Sequence, residues 1–147
     1  MSQATNIRNR GDRGFPDILP VRRQSDLITE LVCERLDTIL PSAMREAGID
    51  MWIILCQEDD LDPVFETMIP MDCWNPILQM LVFVDEGDAG IKRYNISGTD
   101  TKDLYERPYS GQLEEKQWPI LVDLVKERNP ATIGVNIGSI KWAAGGL

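Results

Sequence analysis

The side chains best placed for chemistry form one acidic stretch, Glu58-Asp59-Asp60-Leu61-Asp62, directly behind an apolar run. Clustered carboxylates offer the oxygen ligands that a hard cation takes. The stretch lacks the alternating Asp/Asn positions, the turn glycine and the later Glu of a calcium loop. A solvated loop, with Asp62 capping a turn ahead of Pro63, is the better reading. The segment Ile133-Gly134-Val135-Asn136-Ile137-Gly138-Ser139 places glycines where a strand ends, and a phosphate can sit on such backbone N–H groups. It follows neither the dinucleotide nor the Walker pattern, and no Lys stands in register. A strand end in a tight turn accounts for it better.

Nucleophiles are scarce. Cys33 and Cys56 fall on apolar faces as core filler, and Cys73, beside Trp74, has no base in view. The chain contains no histidine, which removes His-based triads, Cys-His dyads and the commonest metal ligand. Trp74 lies in an irregular segment, where an aromatic side chain serves either as an anchor for a partner or as packing on its own sheet.

The elements that would position these residues follow from hydrophobic spacing. Ser25 caps a predicted helix in which Leu27, Ile28, Leu31, Val32, Cys33, Leu36, Ile39 and Leu40 recur at helical intervals. Pro41 either kinks this helix or opens a second, Ser42 to Ala47, which Gly48 ends. Met51 to Cys56 run apolar without alternation, as a strand covered on both faces does. Gln79 to Val84 form a second strand. Asp85 to Gly90 supply turn residues, and Ile91 to Ile96, with poor alternation, form a third strand at an edge. Residues 97–115 are expected to be loop. A helix from Glu115 to Asn129 directs Trp118, Leu121, Val122, Leu124 and Val125 inward, and Thr132 to Ile137 form a fourth strand. Val64 to Met71 contain at most a helical turn. The expected class is a layered α/β domain with a central buried strand.

At 147 residues the chain suits one domain, residues 25–147, behind a polar and flexible arm, residues 1–24. A new element begins shortly before Leu147, as a cut inside a longer protein would leave it. Residues 1–24 hold five Arg against Asp12 and Asp17, whereas residues 25–147 hold ten Lys or Arg against twenty-two acids. The resulting charge, near −12 for the folded part, disfavours nucleic acid and anionic membranes as partners. Apolar content is 43%, and no apolar run approaches the roughly 20 residues of a membrane span. Three widely spaced cysteines suit reduced thiols, so the expected localisation is cytoplasmic.

Taken in order, these pieces resemble a known family. Gly48-Ile49-Asp50-Met51-Trp52-Ile53-Ile54 behind a helix, then Glu58 and Asp62-Pro63-Val64-Phe65, look like the N-terminal domain of the creatinase, prolidase and Xaa-Pro aminopeptidase family. Leu81-Val82-Phe83-Val84-Asp85, the helix with Trp118, and Ile133-Gly134-Val135-Asn136-Ile137 keep that family's order. Trp142-Ala143-Ala144-Gly145-Gly146-Leu147 resembles a following Ala-Asp-Gly-Leu segment, with Gly145 in place of the Asp. The resemblance spans residues 22–147 and implies a mixed β-sheet sandwiched by helices. It implies a domain without catalytic residues or cofactor of its own. In relatives, two divalent metals (manganese, cobalt or zinc) sit in a separate C-terminal catalytic domain that hydrolyses Xaa-Pro peptides. The implied partners are that catalytic domain and a second copy, as a homodimer. Glu58, Asp62, Phe65 and Trp74 are the implied residues of a substrate entrance or interface. Two rivals from other classes remain: a free-standing protein-interaction module, and a small-ligand or nucleotide-binding domain using the Gly134–Ser139 turn.

Overall fold

In the computed structural model, which describes residues 18–57, 61–71, 73, 78–111 and 113–137, one long helical run leads into the sheet. Helix α1 spans Val21–Glu34, widens into a π-turn over Arg35–Ile39, and continues as α2, Leu40–Glu46. The helix thus begins four residues ahead of the Ser25 cap expected from sequence; Pro20 precedes its first turn instead. Pro41 falls in the first turn of α2, close to the second helix expected from Ser42 to Ala47, but the π-turn joins that helix to α1 without a break in the run. A proline inside a helix lacks an N–H and crowds the carbonyl four residues back. The π-turn just before it, where the Leu40 N–H reaches the Arg35 carbonyl, absorbs that misfit.

Burial along this run is narrower than its apolar spacing suggests. Val32, Leu36, Leu40 and Met44 are the fully buried positions, one every four residues. Leu27, Leu31 and Ile39, expected to point inward, are exposed. The helix lies on the sheet by one stripe, so apolar residues outside the stripe remain in solvent. Gly48, in the left-handed conformation at φ 66°, then turns the chain into β1, Met51–Cys56.

Four strands join β1: β2, Gln79–Asp85; β3, Ile91–Ile96; β4, Glu106–Tyr109; and β5, Ile133–Val135. The five-stranded sheet has the order β4-β3-β2-β1-β5. β1 and β2 are antiparallel, as are β2 and β3, whereas β1–β5 and β3–β4 are parallel. The sheet is therefore mixed, and the class is α/β.

β3 is not the edge that its sequence suggested. Glu106–Tyr109, in a stretch read as loop, pairs with it from Tyr94 onward. A four-residue strand carrying Pro108, with exposed side chains at three of its positions, leaves almost no periodic signal.

Side chains alternate across the central strands and feed two cores. Ile54, Cys56, Leu81 and Phe83 pack with Leu36, Leu40 and Met44 on one face. Met51, Ile53, Met80 and Val82 pack with Leu121 and Leu124 of α4, Glu114–Arg128, on the other. That double coverage explains the unbroken apolar run of β1. Helix α4 ends at Asn129, left-handed at φ 44° and followed by Pro130, at the boundary expected from sequence. Trp118 and Val122 of α4, expected in the core, are exposed instead. Gln117 takes an inward position with no exposed surface, its Nε2 donating to the carbonyls of Leu78 and Ile96. No helix of the described residues is long and apolar enough to cross a membrane.

Candidate functional site

Of the four residues singled out from sequence, Glu58 and Trp74 lie outside the described residues, as do Asp59 and Asp60 of the acidic stretch. Asp62 and Phe65 are described, and both are internal. Pro63 suits the first position of a helix, and Asp62 before it suits the cap. Helix α3, Pro63–Met68, forms accordingly. Asp62 Oδ1 accepts from the backbone N–H of Val64 at 2.7 Å and of Phe65 at 3.2 Å. Phe65, within the same turn, packs in the core beneath the long helix.

The second carboxylate oxygen of Asp62 meets a residue from the far end of the chain. Asn136 Nδ2 donates to Asp62 Oδ2 at 2.8 Å, while Asn136 Oδ1 accepts from Trp52 Nε1 at 2.8 Å. Trp52 lies against Phe83 with ring centroids 6.1 Å apart. A relay Trp52–Asn136–Asp62 thus ties β1, the chain just past β5 and the cap of α3. Asp62 is 2% exposed, and both its oxygens have protein donors. Its carboxylate holds the fold together at the margin of the acidic stretch. Among the described residues no group of three or more His, Cys, Asp or Glu side chains stands close enough to hold a metal ion.

Gly134 has a packing role. It pairs with Trp52 across the β1–β5 ladder, and a Cβ built on it would lie 2.7 Å from Ile49 Cδ1. The glycine lets β5 approach the turn before β1, where Thr132 also donates its N–H to Asp50 Oδ2 at 2.8 Å. Gly138 and Ser139, the other half of the phosphate reading, lie outside the described residues.

Two arginine clamps, unforeseen in sequence, fix the hairpin between β2 and β3. Arg45, in the last turn of α2, grips Asp85 in a bidentate pair, Nε–Oδ2 2.8 Å and Nη2–Oδ1 2.9 Å, and also reaches the Gly87 carbonyl at 2.6 Å. The guanidinium holds the Asp85 carboxyl below the ordinary carboxylate range, against the opposing effect of burial. Arg128, in the last turn of α4, donates to Glu86 Oε1 at 2.7 Å and to the Tyr94 hydroxyl at 2.6 Å. Burial raises the Tyr94 hydroxyl pKa, and the nearby Arg128 charge opposes that shift. Neither pairing was legible in advance, because partners 34 to 42 residues apart obey no local spacing rule.

Several large apolar side chains of the described residues are exposed. Trp118 and Val122, one helical turn apart on α4, are exposed, as are Ile133 and Val135 of the edge strand β5 and Ile137 just beyond it. Comparison with known proteins gives no matching family model, no matching curated protein and no matching solved structure.

Proposed function

We propose that this chain is a non-catalytic architectural module, the N-terminal domain of a cytoplasmic Xaa-Pro aminopeptidase- or prolidase-like protein. In this role it buries surface against a second copy and against a metal-bearing catalytic domain, and it borders the route by which short peptides reach that domain. The domain would carry the two divalent metals, manganese, cobalt or zinc. The supporting sequence pattern is the order of segments from Gly48 to Ile137 that resembles this family.

The observation that carries the architectural part is the exposed apolar set Trp118, Val122, Ile133, Val135 and Ile137. Large apolar side chains left in water, here on α4 and on the edge strand β5, favour burial against another surface. The interior polar groups speak the same way: the Asp62 carboxylate and the Asn136 amide are consumed by internal hydrogen bonds. Sedimentation equilibrium of the chain tests this reading, with a concentration-dependent dimer expected and a shift towards monomer in Val122→Glu. A monomer at every concentration up to about 100 µM, weaker than any stable homodimer, overturns self-association. The coding sequence beyond Leu147 tests the parent: two Asp, one His and two Glu in order support the peptidase assignment, and their absence removes it.

A further inference from the structure

The outer edge of β3 is only half covered. β4 starts opposite Tyr94, so no strand of the described residues lies beside Ile91–Arg93. The hydrogen bond from the Glu86 N–H to the Gly90 carbonyl sets the alternation of the hairpin. It assigns the β2–β3 bonds to the pairs Val84–Lys92 and Val82–Tyr94 and turns the backbone of Ile91 and Arg93 outward. The Ile91 N–H and C=O and the Arg93 N–H therefore face a notch that continues the line of β4.

That notch is a cleft of about 310 Å³, bounded by Ile91–Arg93 on one side and residues 103–106 on the other. Its flanks are held by ion pairs on opposite faces of the sheet. Lys92 meets Glu106 at 2.7 Å on the face towards α4, and Arg93 meets Asp37 at 3.0 Å on the face towards the long helix. Asp103, the remaining charged side chain lining the cleft, makes no hydrogen bond or ion pair among the described residues. Asp103 and its neighbour Lys102 are both left-handed, at φ 61° and 51°. Two adjacent non-glycine residues in that region are held there by their surroundings, at a cost in backbone strain.

We infer that this notch binds a short extended peptide by strand addition at Ile91–Arg93, with the peptide's terminal ammonium on Asp103. The backbone supplies the donors and acceptor of a sheet edge, which recognise any extended chain. The unpaired carboxylate supplies the selectivity, for a cation at one end of that chain. About three residues fit beside Ile91–Arg93 at the rise of an extended strand. The flanking pairs Lys92–Glu106 and Arg93–Asp37 satisfy one another and leave Asp103 as the open charge. This inference does not rest on the assembly role proposed above. Peptide titration tests the one and sedimentation the other.

The experiment is a titration of the full 147-residue chain with the tetrapeptide Ala-Val-Thr-Val, followed by amide chemical shifts. The same peptide with an acetylated N-terminus is the comparison. Saturable shifts at the Ile91 and Arg93 amides are expected, with the acetylated peptide about fivefold weaker, the scale of an exposed ion pair. Asp103→Asn suits the left-handed backbone at least as well as Asp, so the variant keeps the loop while removing the charge. It should weaken the free-amine peptide by the same factor and leave the acetylated one unchanged. Absence of shifts at both amides up to about 10 mM peptide overturns the proposal, since weaker binding than that is not recognition. Equal binding of the two peptides, or an unaffected Asp103→Asn, overturns it as well.

Discussion

Asn136 donates its amide to Asp62 across 2.8 Å although 74 residues separate the two in sequence. The contact closes the domain on itself: the cap of α3, just after β1, is held by the residue that follows β5. Because the same Asn136 also accepts from Trp52, one amide satisfies a buried carboxylate and a half-buried indole together. A side chain that serves two partners gives non-additive mutational effects, and these can be measured.

Asn136→Ala should destabilise the chain by about 2 kcal/mol, the scale of losing a charge-assisted and a neutral hydrogen bond at a partly buried site. Trp52→Phe alone should cost less, because it removes the indole donor and leaves the rest of the relay intact. In the double variant the effects should fall short of their sum, by at least about 0.5 kcal/mol. Urea unfolding of the four proteins completes the cycle. Strict additivity would mean that the relay does not act as a unit.

The elements that were legible in sequence are those with strong local signals. β1 and β2 announce themselves by apolar runs, Gly48 by its fitness for a left-handed cap, and Asp62-Pro63 by cap chemistry. The misplacements share one physical origin: spacing reports which residues are apolar, not how wide a face the sheet can cover. Leu27, Leu31, Trp118 and Val122 satisfy the helical period and still lie outside the covered stripes. Gln117 holds an inward position instead, because the free carbonyls of Leu78 and Ile96 need a donor. β4 was missed for the reverse reason, being a strand made by pairing rather than by pattern. The Asn136 bridge had a faint signal, a single amide inside the apolar run Ile133–Ile137, but its partners could not be found without the topology.

The Arg45–Asp85 clamp gives the stability a definite pH dependence. Asp85 titrates lower in the folded chain than in the unfolded one, chiefly through its hydrogen bonds with Arg45. A depressed carboxylate contributes fully above its unfolded pKa, near 4, and its contribution is lost as pH falls through the lower folded value. Asp85→Asn should therefore lower the melting temperature by a few degrees at pH 7 and flatten the acid limb below about pH 4. Thermal melts of both proteins across that range are the check. Parallel acid limbs would remove Asp85 from the account.

Gln117 poses a sharper case, because it is entirely buried, donates to two backbone carbonyls, and leaves its Oε1 without a partner among the described residues. Gln117→Met keeps the volume but strands the Leu78 and Ile96 carbonyls, at a cost of about 2–3 kcal/mol. Gln117→Glu should cost more at pH 7 than at pH 4. A carboxylate there would face two carbonyl oxygens, whereas the protonated acid can still donate to one of them. Denaturant midpoints at the two pH values, corrected for the parent chain's own change, decide the matter. An equal penalty at both would show that the side chain escapes to solvent.

Gly134 offers a test of packing rather than of charge. A methyl group at this position would fall 2.7 Å from Ile49 Cδ1, well inside contact distance, while its other near neighbours belong to the same side chain. Ile49 must therefore rotate or β5 must shift away from β1. Overpacking of this kind costs about 1–3 kcal/mol, partly offset by the lower entropy of the unfolded chain with alanine. If Ile49 is the obstacle, Ile49→Val in the Gly134→Ala background should recover stability, although by itself it removes a methyl and destabilises. The sign reversal is the diagnostic feature, and chemical denaturation of the four proteins reads it. Should Ile49→Val destabilise both backgrounds equally, the glycine would be required by the backbone path of β5 and not by its neighbour.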